Sequence, residues 1–184
     1  MGDRDAVRGA TLKPLSTMGF GMLLVLLDLR VDGLDLVPDP LGWLLALAAA
    51  GSLSRLHPAF PVVAVACGLG LVASGPDWVG RGGPVVAVEI TVAETVVVFA
   101  TCTAVMALLP ERRGGANALR WWDLGLTLVL TVLLLVAAGE PDVGVLALLV
   151  GIAELVVFVC FIVLLFKAAR ATPPTVPETI RNLP

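Results

Sequence analysis

The chain has 184 residues, of which 58% are hydrophobic and only 15% charged, and its mean hydropathy is +0.99. A water-soluble globule of this size must cover itself with polar groups, so this composition excludes one and makes lipid the natural solvent. The net charge of −3, from 12 basic and 15 acidic residues, offers no basic surface for nucleic acid, and the even spread of apolar segments leaves room for one membrane domain only.

In chain order, residues 1–14 read as a cytoplasmic N-terminal segment. The opening MGDRDAVRGATLKPL carries acids and lacks the cleavage pattern of a removable signal peptide, so the first apolar run is expected to stay as an anchor. A helix needs about 20 apolar residues to cross roughly 30 Å of hydrocarbon. Runs near that length fall at 15–30, 41–56, 59–75, 84–109, 121–138 and 143–169. The expected fold is all-α, a polytopic bundle of six transmembrane helices over 15–170, arranged as three helical hairpins. The run at 41–56 is short enough to suit a re-entrant or tilted element as well as a full crossing, whereas 84–109 and 143–169 are long enough to tilt. The stretch 171–184 has four prolines and little to bury, which predicts a disordered cytoplasmic tail.

Sidedness follows from the basic residues. With the N-terminus inside, the inner segments hold Arg4, Arg8, Lys13, Arg55, Arg112, Arg113, Arg120, Lys167, Arg170 and Arg181, against Arg30 and Arg81 outside. Both termini are therefore expected in the cytoplasm of a cell whose inner, plasma membrane holds the protein. Trp43 and Trp78 fall at the outer interface in this frame, and Trp121 and Trp122 at the inner one.

Pro-Asp recurs in every outer loop, in VPDPLGW at 37–43, GPDWVG at 75–80 and EPDVGV at 140–145, a pattern that suits helix starts. A second repeat sets AETVVVFATC from Ala93 on AELVVFVC from Ala153, which brings Glu94 onto Glu154. Internal repeats are common in transporter folds, whose sites lie near the midplane. The first of these loops contains DLVPDPLGW, which resembles an acidic pattern, D-x-x-P-D-x-x-G-[WY], of small uncharacterised multi-pass membrane proteins of bacteria. The resemblance spans one loop and the start of one helix; it implies a bacterial membrane protein and no particular activity.

Small residues recur at four-residue spacing in two spans, as Gly42, Ala46, Ala50 and Ser54, and as Ala66, Gly70 and Ser74. These stripes predict close helix packing. Gly151 shares a face with Glu154, which predicts a neighbouring helix close to that acid. Thr127 and Thr131 are expected to bond back to their own helix.

Carboxylates inside a membrane are costly and mark functional sites by default. Glu94 and Glu154 each lie about eleven residues into their spans, at matching mid-membrane depth. Thr91 and Thr101 share the Glu94 face, while Glu89 lies on another surface. If Glu94 and Glu154 converge, they form a candidate site for a proton or cation; the plainer reading is a structural hydrogen bond from either acid to main chain. A weaker metal candidate is the outer quartet Asp28, Asp32, Asp35 and Asp39, since hard cations prefer oxygen ligands, although its spacing fails the EF-hand pattern. Cys67, Cys102 and Cys160 have no zinc spacing and read as packing residues. His57 reads as a helix-end or headgroup contact.

No HExxH, GxSxG, phosphate loop or redox cysteine pair is present in the sequence, so neither an enzyme nor a cofactor is expected. Two function classes stay open: a small transporter or channel-like protein coupling protons or cations through its glutamates, and a non-catalytic subunit that binds or stabilises a partner. Lipid is the expected surrounding, with a homodimer or another membrane protein as partner.

Overall fold

Proline marks the start of nearly every helix in the computed structural model, which describes residues 12–27, 30–31, 34–35, 39–78, 84–136 and 141–171. The helices are α1 (Pro14–Leu26), α2 (Asp39–Leu53), α3 (Ala59–Trp78), α4 (Pro84–Leu108), α5 (Arg113–Val136) and α6 (Pro141–Ala169). Pro14, Pro84 and Pro141 are first residues, Pro40 is the second residue of α2, and Pro58 directly precedes α3. A 3-10 turn, Pro110–Arg112, leads into α5. The ring presets the helical φ, and the missing N–H is one that a first turn leaves unpaired anyway.

The three Pro-Asp dipeptides do not all start helices. Asp39 of the first is the first residue of α2 and Pro141–Asp142 open α6, but Pro76 lies inside the last turns of α3. Helix α5 begins eight residues before the apolar run expected there, because its first turns, from Arg113, are polar and amphipathic rather than apolar. Between α1 and α2 a two-residue antiparallel ladder pairs Arg30 with Asp35 and Val31 with Leu34, a small addition to the all-helical expectation. Asp28, Asp32, the N-terminal segment to residue 11 and the tail from residue 172 lie outside the described residues.

Each helix packs on its sequence neighbours, and α6 returns to α1, closing a six-membered ring. The closest crossing is that of α1 and α2, where a Cβ placed on Gly21 would lie 2.5 Å from the Gly42 carbonyl oxygen, and one on Gly42 equally near that of Gly21. Only glycine admits backbones at that distance. The next residue after Gly42, the fully buried Trp43, lays its indole over Gly70 of α3, where a Cβ would meet the ring at 2.6 Å. The glycine and tryptophan of the DLVPDPLGW run thus join three helices. At the far side, Phe20 of α1 meets Phe166 of α6 edge to face at 5.0 Å. His57 Nδ1 accepts from the Ala59 N–H at 3.1 Å and caps α3, a helix-end role.

Three helices are long and apolar enough to cross a membrane, over Ala59–Pro76, Val86–Leu108 and Gly144–Ala169, while α1 and α2 are apolar but shorter. Their outer surfaces agree with a membrane protein. Val62, Val65, Leu69 and Val72 make an exposed stripe on α3, and Val145, Leu148, Ile152 and Val156 another on α6. Apolar stripes of this extent would be a liability in water.

Candidate functional site

Helix α5 differs from its neighbours: it is the most amphipathic of the six. At about 100° per residue, Arg120, Asp123, Thr127 and Thr131 fall on one narrow face. Among its described side chains only Ala116 and Asp123 are buried, and Asp123 is 4% exposed. A helix that hides an acid in place of an apolar residue needs a reason.

The reason lies on α4 and α6. Thr127 donates to Glu154 Oε1 of α6 at 2.5 Å, and Thr95 of α4 approaches the Thr127 hydroxyl at 3.4 Å. Thr95 has one hydroxyl proton and two acceptors, since the Thr91 carbonyl lies at 3.0 Å. The three helices are thus laced by a short hydroxyl–carboxyl chain about halfway along their length. Glu94, next to Thr95, is half-buried, and the acids Glu154, Asp123 and Asp39 all act on it electrostatically. Asp123 in turn feels Glu154. Glu94, Asp123 and Glu154 thus lie within electrostatic range of one another on three consecutive helices, and Asp39 at the start of α2 also acts on Glu94.

Toward the Arg113 end of α5, Arg120 Nη1 donates to Thr103 of α4 at 3.3 Å. Its guanidinium lies 5.1 Å from the Phe99 ring centre and 5.4 Å from that of Trp121. Cation–π contacts of this length hold an arginine well in an apolar setting. Two buried polar atoms on this face, Arg120 Nε and Asp123 Oδ2, have no hydrogen-bond partner among the described residues.

The remaining candidates lie elsewhere. Thr91 bonds back to the Ala87 carbonyl at 2.9 Å; Thr101 is buried against Met18 of α1, its hydroxyl 3.8 Å from the sulfur; Glu89 is exposed. Thr131 bonds to the Thr127 carbonyl at 2.7 Å as expected, whereas Thr127 itself reaches Glu154. Among the described residues nothing packs closely on Gly151: a Cβ on Gly144 or Gly151 would meet nothing within 4 Å. Both glycines instead line a shallow apolar groove with Leu130, Ala147 and Leu155. Among the described residues no three His, Cys, Asp or Glu side chains converge to hold a metal. The cysteines are free, Cys67 and Cys102 buried and Cys160 exposed on α6.

Asp123 and Thr95 were not evident from hydropathy. Asp123 follows Trp121 and Trp122 and reads as interfacial; the signal that could have found it is the polar stripe through Arg120 and Thr127. No protein-family model, curated protein or solved structure matches the chain.

Proposed function

We propose that this protein is a small bacterial inner-membrane transporter or channel-like protein, in which Glu94 and Glu154 couple movement to a proton or cation. The observation that carries the reading is the hydroxyl–carboxyl chain of Thr95, Thr127 and Glu154 across three consecutive helices, which has Glu94 beside Thr95 and Asp123 one turn from Thr127, the three acids lying within electrostatic range. Two acids would satisfy a purely structural role by bonding separately to main chain. Acids that converge at mid-depth are unfavourable unless a proton, a cation or a counter-charge occupies the cluster.

The reading includes six crossings with both termini in the cytoplasm. Trp121 and Trp122, after the polar first turns of α5, are exposed, as interfacial anchors are; from there to Val136 the helix runs about 24 Å at 1.5 Å per residue, a short crossing that local bilayer thinning accommodates. The short α1 and α2 cross as a pair, with the ladder between them at the outer surface. In proteoliposomes, Glu94→Gln and Glu154→Gln should each abolish ion flux without lowering thermal stability; unchanged flux in both variants would sink the proposal.

A second reading, a non-catalytic subunit, draws on the apolar groove between α5 and α6, whose glycines leave space for a helix of a second copy or another membrane protein. Intact flux together with cross-linking from Cys160 to a partner would favour it.

A further inference from the structure

The proposed function leaves one buried group without a role. Asp123 has less surface exposed than either glutamate, being the only acid among the described residues with under a tenth of its surface accessible. One of its carboxyl oxygens has no hydrogen-bond partner. A charged carboxylate with one oxygen buried and unpaired, within an apolar bundle, is a costly arrangement for a membrane protein. Leucine in its place would avoid that cost and fill the space.

The charged and titratable groups around it are few. Glu94 and Cys102 face it from α4 and Glu154 from α6. On its own helix Arg120 lies one turn away, but its guanidinium is committed to Thr103, Phe99 and Trp121. Among the described residues no salt bridge neutralises Asp123, and the charged group that acts on it is another acid, Glu154. Three acids lying near one another in apolar surroundings need positive charge among them. A hard metal ion would require several converging oxygen ligands, which the described residues do not supply. A proton requires one oxygen.

We propose that Asp123 is a third proton-binding residue of the cluster, completing with Glu94 and Glu154 a protonatable track across α4, α5 and α6. Glu154 and Asp123 lie about one helical turn apart in depth, because Thr127, which meets Glu154, is four residues from Asp123 at 1.5 Å per residue. Asp123 is the member nearest the Arg113 end of α5, so it is the acid that exchanges protons with that side of the membrane. Arg120, beside it, is a positioning residue that holds α5 against α4.

This proposal rests on the proton-coupled form of the function above, and its test separates the two. The full-length protein, reconstituted in liposomes, is treated with a hydrophobic carbodiimide, and labelled sites are located by mass spectrometry. A protonated carboxyl adds across the carbodiimide C=N bond, its oxygen going to carbon and its proton to nitrogen, whereas a carboxylate does not react. Labelling of Asp123 that falls with rising pH and is insensitive to sodium ions supports the proposal. Absence of Asp123 labelling at every pH, with Glu94 or Glu154 labelled, overturns it, as does protection by sodium at constant pH. In parallel, Asp123→Asn should lose proton flux while keeping its thermal midpoint, and Asp123→Glu should recover part of the flux. Wild-type flux in Asp123→Asn overturns the track. If the wild-type protein moves no protons, the transport reading fails, and labelling still decides whether Asp123 binds one.

Discussion

A threonine hydroxyl inside a lipid-facing helix has two choices, its own backbone or a neighbour, and Thr127 and Thr131 take different ones although they are a turn apart. Thr131 donates to the carbonyl of Thr127, while Thr127 donates to Glu154. Their substitutions should differ accordingly. Thr127→Val removes an interhelical bond and should lower unfolding free energy in detergent by about 0.6 kcal/mol, with an upper bound of roughly 1.7. Thr131→Val should be close to neutral; equal losses in both would show that the bond to Glu154 contributes nothing. His57 gives a second residue-scale expectation. His57→Ala leaves the Ala59 N–H without its acceptor and should cost about 1 kcal/mol, as loss of a helix cap does.

Among the elements, the α1–α2 pair depends most on one residue type. Gly21 and Gly42 each present backbone where a side chain would collide with the partner's carbonyl oxygen. Gly42→Val should therefore cost on the order of 3 kcal/mol or more, because the clash is with main chain and cannot be relieved by a rotamer change. Gly51, later on the same helix, faces open space. Gly51→Ala should be neutral or slightly stabilising, since alanine is the better helix former. Thermal unfolding of the two variants in one detergent checks the contrast, and similar midpoints would contradict the crossing. Helix α5 is the other element with a marked character. Its polar face was legible as a stripe in the sequence, yet its neighbours were not, since a stripe says that a helix has an inside and not what occupies it.

At the scale of the molecule, closure of the ring by α6 on α1 puts the first and last helices side by side. In the six-crossing arrangement proposed above the two termini lie on one side, and the excess of Arg and Lys near them would make that side the cytoplasm. Reporter fusions or impermeant thiol reagents at single introduced cysteines near residues 5 and 180 should both report the cytoplasmic side. A periplasmic signal from either would remove one crossing, and the short α1 and α2 are the first helices to reconsider.

The apolar solvent, the helical class and, to within two residues, the starts of every helix but α5 were determined by the sequence alone. Length of apolar run, the position of proline and the spacing of basic residues are properties of a segment read along its own axis. What sits beside what was decided only by the tertiary structure. Helices α3, α4 and α6 are apolar nearly all round, so their periodicity carries almost no information about which face turns inward. Hence the emptiness beside Gly151, the burial of Thr101 against Met18, the enclosure of Asp123 and the choice of Glu154 by Thr127 emerge only when six rotations about six axes are set together. The acidic cluster belongs to that second kind of fact: its members lie on three helices, and only their packing brings their charges within reach of one another.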